Sequence, residues 1–211
     1  MGRCKTITLL QQKGGSGKTT SAMNLAGGLR ELGHTVIVAD MDKDKPDAWS
    51  WAEKKPNGNN FVQQVDEKQA RDQISKLKET CDFLIIDTPP NFQTAALKAS
   101  LLADLVVIPA APSGMDLSGL LEAKDLALTA GRPFKLLANR IVKNTTMSRS
   151  LLGVIKDEGQ SFNAAIPQSV KFVEAEAAGL YIGEYANESN AHIEVRKLAK
   201  EVVEFFNNNE L

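Results

Sequence analysis

Cysteine is scarce in this 211-residue chain: Cys4 and Cys81 are the two present. They lie far apart in sequence and have no metal-ligand spacing. That sets aside a disulfide framework or a zinc site and leaves two buried, reduced thiols. Histidine is equally rare, and His34 and His192 stand isolated from other catalytic residue types, so both read as structural or exposed. Charge of one sign is also lacking. With 25 basic and 26 acidic residues the net charge is −1, which excludes a nucleic-acid binder acting through overall charge but leaves room for a local basic patch. No apolar run approaches the roughly 20 residues needed to cross a bilayer, and no small-residue cleavage site follows the apolar start. A cytoplasmic protein is the expectation.

What is present is an alternation of apolar runs and helical patterns. Thr6–Leu10 and Thr35–Ala39 read as strands, the second stopping at Asp40, with a helix from Thr19 to Leu32 between them, ended by Gly33. A Trp-bearing helix over 46–54, a turn over 56–60, a short edge strand over Phe61–Val65 and a helix over 67–80 follow. Asp82–Asp87 is almost continuously apolar and closes on a carboxylate, which suits a strand buried on both faces of a parallel sheet. Leu105–Pro109 and Phe134–Ala138 look similar. The alternation predicts an α/β class: a doubly wound, mostly parallel twisted sheet. No repeat or linker divides the chain, so residues 1–211 are expected to form one domain. Val195, Leu198, Val202 and Phe205 recur at helical spacing on a terminal helix whose polar face carries both charges. That suits packing better than membrane anchoring, which favours a cationic face.

The chemistry starts at Lys13-Gly14-Gly15-Ser16-Gly17-Lys18-Thr19-Thr20. The general phosphate-loop pattern ends in Gly-Lys-Ser/Thr, as here, but begins with a glycine where this chain has Gln12. Gly14, Gly15 and Gly17 let backbone N–H groups converge on phosphate oxygens without Cβ obstruction. The following helix points its positive end at the same anion. Lys18 can neutralise the β- and γ-phosphates, and the Thr19 hydroxyl can ligand Mg²⁺. A merely structural glycine turn would not require Lys and Thr there. ATP with Mg²⁺ is the ligand expected, and ATPase activity the outcome.

Lys13 makes the loop the deviant Walker A form, Lys-Gly-Gly-x-Gly-Lys-Thr. On that motif the chain resembles the ParA/MinD family of P-loop ATPases, in its compact ParA-type partition members. The resemblance implies that Lys13 reaches across a nucleotide-sandwiched homodimer to the partner's phosphates. Asp40 and Asp42 are similar to the family's Asp-x-Asp-Pro-Gln segment, although Lys43 and Asp44 replace its Pro-Gln. By that match Asp42 orients the attacking water, and Asp40 is an alternative for that role or a metal contact. Asp87, before Thr88-Pro89-Pro90, is in the Walker B position, where a carboxylate holds Mg²⁺ through water, and the prolines stiffen the loop. Asn139 looks like the family's adenine-recognising asparagine. The segment from Ile166-Pro167-Gln168 resembles its Ile-Pro-Arg-x-Val motif, with Pro167 near the base.

The resemblance also implies an output. ParA-like ATPases position plasmids, chromosomes or large cargo: the ATP dimer binds nonspecific DNA, and a ParB-type centromere-binding or cargo-adaptor protein stimulates hydrolysis. The ATP-bound form is then nucleoid-associated, and no stable membrane association is expected. The first strand begins so early that an amino-terminal helix-turn-helix domain is not expected. Gln168 stands where the family has arginine, and Glu188-Ser189-Asn190 also lacks arginines found in relatives. Arg132, Lys135, Arg140, Lys143, Arg149 and Lys156 supply a segment free of acidic residues. It reads equally as a DNA patch or as a partly buried strand with a solvated helix face. The alternatives are a MinD-like ATPase at a membrane surface, a metabolic ATP-dependent enzyme on the same loop, and a non-catalytic interaction module. The Asn207–Leu211 tail is not the basic amphipathic helix the first needs. No catalytic constellation beyond the ATP machinery supports the second, and Lys18, Thr19, Asp42 and Asp87 argue against the third.

Overall fold

Residues of alternating orientation along each apolar run are sorted onto the two faces of one sheet. The computed structural model describes residues 3–55, 58, 61–90, 93–112 and 116–209. Strands β1 (Lys5–Leu9), β2 (Val36–Asp40), β3 (Val62–Gln64), β4 (Phe83–Asp87), β5 (Leu105–Ala110), β6 (Phe134–Ile141) and β7 (Ser161–Pro167) form a seven-stranded sheet in the order β3-β2-β4-β1-β5-β6-β7. Every strand pair is parallel. The helices are α1 (Lys18–Glu31), α2 (Asp47–Glu53), α3 (Ala70–Lys78), α4 (Gln93–Leu102), α5 (Asp116–Thr129), α6 (Thr146–Asp157), α7 (Val170–Ala177), α8 (Ile182–Tyr185) and α9 (Asn190–Asn208). β4 and β5 are buried along their whole length, as near-continuous apolar runs require in a sheet covered on both sides.

Period-two alternation sorts the strand side chains into three apolar clusters. Ile7, Leu9, Phe83, Ile85, Leu105 and Val107 face a cluster completed by α1, α2 and α9. Val106 and Ile108 face α5 and α6, while Leu84 and Ile86 face α3. The terminal helix begins earlier than its apolar spacing indicates, because the Ser189 hydroxyl accepts from His192 N and caps it. Its apolar side, through Val195, Leu198, Val202 and Phe206, is buried against the sheet. Among the described residues no helix is long and apolar enough to cross a membrane.

The structure refines several sequence expectations. The helix expected over 67–80 spans Ala70–Lys78, and β6 runs on to Ile141. β7, on the edge of the sheet, was not anticipated as a strand. The turn expected over 56–60 lies outside the described residues apart from Gly58, whose φ is +81°. Cys4 and Cys81, distant in sequence, are neighbours: both are buried and their Sγ atoms are 3.7 Å apart, and both are free thiols. His192 is structural, its Nε2 lying 3.0 Å from the Glu31 carboxylate. Its Nδ1 accepts from Glu188 N.

One close approach ties α2 to the α7–α8 turn. Gly179 has φ +71°, and a Cβ there would lie 2.3 Å from Lys55 N. The Trp51 indole donates to Leu180 O at 3.1 Å across the same junction. Gly179→Ala therefore meets left-handed strain of roughly 1–2 kcal/mol together with a backbone overlap. Its urea midpoint is expected to fall by at least that equivalent, and an unchanged midpoint would show that this turn moves freely.

Candidate nucleotide site

Strand register brings the site together. Leu9 of β1 and Asp40 of β2 both pair with Asp87 of β4, so the phosphate loop and both strand-end carboxylates emerge at one level. Ligands of open parallel sheets bind at such carboxyl edges. Two cross-links hold the level: Met41 N donates to Asp87 O at 3.0 Å, and the Thr88 hydroxyl donates to Leu9 O at 2.8 Å.

The loop between β1 and α1 turns through two left-handed glycines, Gly15 (φ +75°) and Gly17 (φ +89°). Gly17 is needed for a second reason. A Cβ there would sit 2.3 Å from Asn139 Nδ2, and that amide donates to Ser16 O at 2.9 Å. Asn139 thus clamps the loop from β6. Its Oδ1 accepts from Arg140 N at 2.9 Å, so both ends of the amide are engaged with backbone. In this state Asn139 addresses the loop rather than an open base pocket, although it does line the cavity beside it.

Thr19 and Asp87 meet as expected of a metal pair, the hydroxyl donating to Asp87 Oδ2 at 2.6 Å. The other oxygen, Asp87 Oδ1, is buried without a hydrogen-bond partner. Burial pushes the Asp87 carboxyl up to about 7. The Thr19 hydrogen bond and Lys18 pull the other way, whereas Asp40 and Asp42 add to the rise. Burial lowers the Lys18 ammonium, against the pull of Asp87 and Asp42. An orphan carboxylate oxygen beside a hydroxyl is a donor set that a hard divalent cation satisfies, with phosphate oxygens and water completing its shell. Thr19 and Asp87 would hold Mg²⁺, which would supply positive charge to the phosphates.

Asp40 is placed differently from a metal ligand. Its Oδ1 accepts from Asp42 N and its Oδ2 from Trp49 N, both at 3.0 Å, and burial raises its pKa. The carboxylate organises the turn into α2. Asp42 is half-buried and lines a cavity of about 270 Å³ with Gly15, Gly17, Lys18, Thr19 and Asp87. A neighbouring cavity of about 340 Å³ is lined by Asn139 and Pro167. Gly14 and Thr20 line the first, Ser16 is buried under the loop, and Lys13 is half-buried at its start.

Two residues stand at this site that the sequence did not assign to it, Arg140 having been read only within the basic segment. Arg140 is exposed, lines both cavities, and has φ +53°, an uncommon conformation for a side chain of its size that costs roughly 1–2 kcal/mol. Glu176 of α7 also lines both. Neither belongs to a motif, and backbone strain leaves no mark in a sequence. The acid-free basic segment is meanwhile divided. Arg140, Lys143 and Arg149 lie toward the site's edge of the sheet. Arg132 and Lys135 lie at the opposite end of β6, bonded to Leu101 O and Ser161 O.

A glycine-rich loop opening a helix at the carboxyl edge of a parallel sheet, with a hydroxyl–carboxylate pair beneath it, defines a P-loop nucleotide-binding protein. Residues 7–182 match the family described as the CobQ/CobB/MinD/ParA nucleotide binding domain, and the chain belongs to that family. It is 29% identical over 213 residues to maintenance of carboxysome distribution protein A of Gloeobacter kilaueensis, covering 94% of each chain. It is 28% identical over 253 residues to the chromosome-partitioning ATPase Soj of Treponema pallidum, covering 94% of this chain and 97% of Soj. The septum site-determining protein MinD of Pyrococcus horikoshii, solved with Mg-ADP, shares the fold with a TM-score of 0.76 and 21% identity, over 96% of this chain and 97% of that one.

Two outcomes test the site. Gly17→Ala is expected to displace Asn139 and to weaken nucleotide binding at least tenfold by titration calorimetry; wild-type affinity would mean that the clamp is dispensable. The raised Asp87 pKa means that its contribution to metal-free, nucleotide-free stability is full below the ordinary carboxylate value and is lost as pH rises through about 7. Asp87→Asn is therefore expected to be more stable than wild type at pH 8, by roughly 1–3 kcal/mol, with the gap closing at pH 5. Parallel urea-unfolding profiles at the two pH values would contradict the shift.

Proposed function

We propose that the protein is an ATPase that dimerises around ATP-Mg²⁺ and uses hydrolysis to position a large cargo on nonspecific DNA. The observation that carries the reading is the convergence of Lys18, Thr19, Asp87 and Asp42 on one cavity at the end of a loop that begins with Lys13. Phosphoryl transfer asks a protein mainly for positioning and charge stabilisation. Lys18 supplies charge at the phosphates, and Asp42, on the turn that Asp40 braces, orients the attacking water. Lys13 completes the site of a second copy, and the products are ADP and phosphate.

The cargo is a plasmid, a chromosome or a protein-bounded compartment. The similarity to Soj favours DNA partition, and the similarity to the carboxysome distribution protein favours a compartment. A partner protein that recognises the cargo accelerates hydrolysis. Lys143 and Arg149 form the smaller basic patch left for DNA once Arg132 and Lys135 are assigned to the opposite end and Arg140 to the wall of the cavities. A patch of that size, doubled in a dimer, gives weak and strongly salt-dependent binding. Against the membrane alternative, the apolar side of α9 is already buried in the core.

Phosphate release and sedimentation with a non-hydrolysable ATP analogue test this reading together. Asp42→Ala is expected to bind ATP but to hydrolyse it at least tenfold more slowly, and Lys13→Ala to stay monomeric where wild type doubles in mass. Unchanged turnover would move the water-orienting role away from Asp42. A Lys13→Ala dimer would remove the shared site.

A further inference from the structure

The two cavities at the site share a wall, and the shared residues include Thr20, Arg140 and Glu176. We infer that Arg140 and Glu176 form the waist of the nucleotide site, with the Arg140 guanidinium on the α-phosphate and the Glu176 carboxylate on the ribose hydroxyls. The inference rests on the ATP reading above. The loop fixes the terminal phosphates in the first cavity, and the second, lined by Asn139 and Pro167, is the space left for a base. The α-phosphate and the sugar must then pass the shared wall.

The chemistry of the wall matches the segment that passes it. A guanidinium presents several N–H donors in a fork suited to phosphate oxygens. An ionised carboxylate only accepts, and ribose hydroxyls donate. Glu176 now has Lys54 Nζ at 3.8 Å, with both side chains close to half exposed, so its carboxylate remains reachable from the cavity.

The backbone gives an independent reason to single out Arg140. It is held left-handed at φ +53° because Asn139 Oδ1 accepts from its N–H while Asn139 Nδ2 holds Ser16 O. Strain that the surroundings enforce on an exposed residue beside a cavity is what a binding group retains and a structural residue sheds. Glycine would relax that backbone at no steric cost. Asn139 thereby couples the phosphate loop to the guanidinium, so loop and waist are set together.

The test separates stability from binding. Arg140→Gly, Glu176→Gln and wild type are melted without nucleotide and titrated with ATP, ADP, 2′-deoxy-ATP and inorganic pyrophosphate. Arg140→Gly is expected to melt at or above the wild-type temperature yet bind ATP and ADP about tenfold more weakly, with pyrophosphate affinity much less affected. Glu176→Gln is expected to lose the wild-type preference for ATP over 2′-deoxy-ATP. Wild-type ATP affinity in Arg140→Gly, or an equal loss for pyrophosphate, overturns the Arg140 assignment. An unchanged ribose preference overturns that of Glu176. Failure of the wild-type protein itself to bind ATP would instead sink the ATP reading on which the inference rests.

Discussion

Everything at the site depends on β1, β2 and β4 ending at the same height. Parallel pairing sets Leu9 and Asp40 beside Asp87, and a parallel register cannot slip by one residue here without turning Ile7, Ile85 and Val38 out of their core. The hydrophobic sorting that stabilises the sheet therefore also fixes where the phosphate loop leaves β1 and where the Asp87 carboxylate ends. The 2.6 Å contact between Thr19 and Asp87 is the product of that alignment. It leaves one buried carboxylate oxygen unsatisfied, so the nucleotide-free protein holds an unmet demand for positive charge at the point where a metal–phosphate complex would arrive.

The same edge connects the site to the rest of the molecule. Asp40 holds the start of α2, and the Trp51 indole fastens α2 to the turn before α8. Asn24 of α1 donates to Thr20 O and accepts from Ile182 N, joining the loop helix to α8. A change in the turn carrying Asp42 would be felt at α8 through α2, and a change in the loop would reach the same helix through α1.

Much of this was legible in the sequence because the relevant residues act locally. Gly15, Gly17, Lys18 and Thr19 declare a phosphate loop by spacing, and the Phe83–Asp87 run declares both its burial and its terminal carboxylate. Asp40 was half legible: its place after β2 was clear, but its role as a brace depends on where Trp49 N falls, which only the fold decides. Arg140, Glu176 and the meeting of Cys4 with Cys81 were not legible. Each depends on a juxtaposition across the sheet or on a backbone angle, and neither leaves a periodic or spaced pattern. The division of the basic segment was not legible for the same reason: β6 carries Lys135 and Arg140 at its opposite ends.

Calorimetric titration of the purified chain with ATP, with and without Mg²⁺ and beside a Lys18→Ala control, tests the central claim most directly. The account predicts one nucleotide per chain, tighter binding with Mg²⁺, and loss of binding in the control. Absence of binding by the wild type, or equal binding by Lys18→Ala, would contradict it.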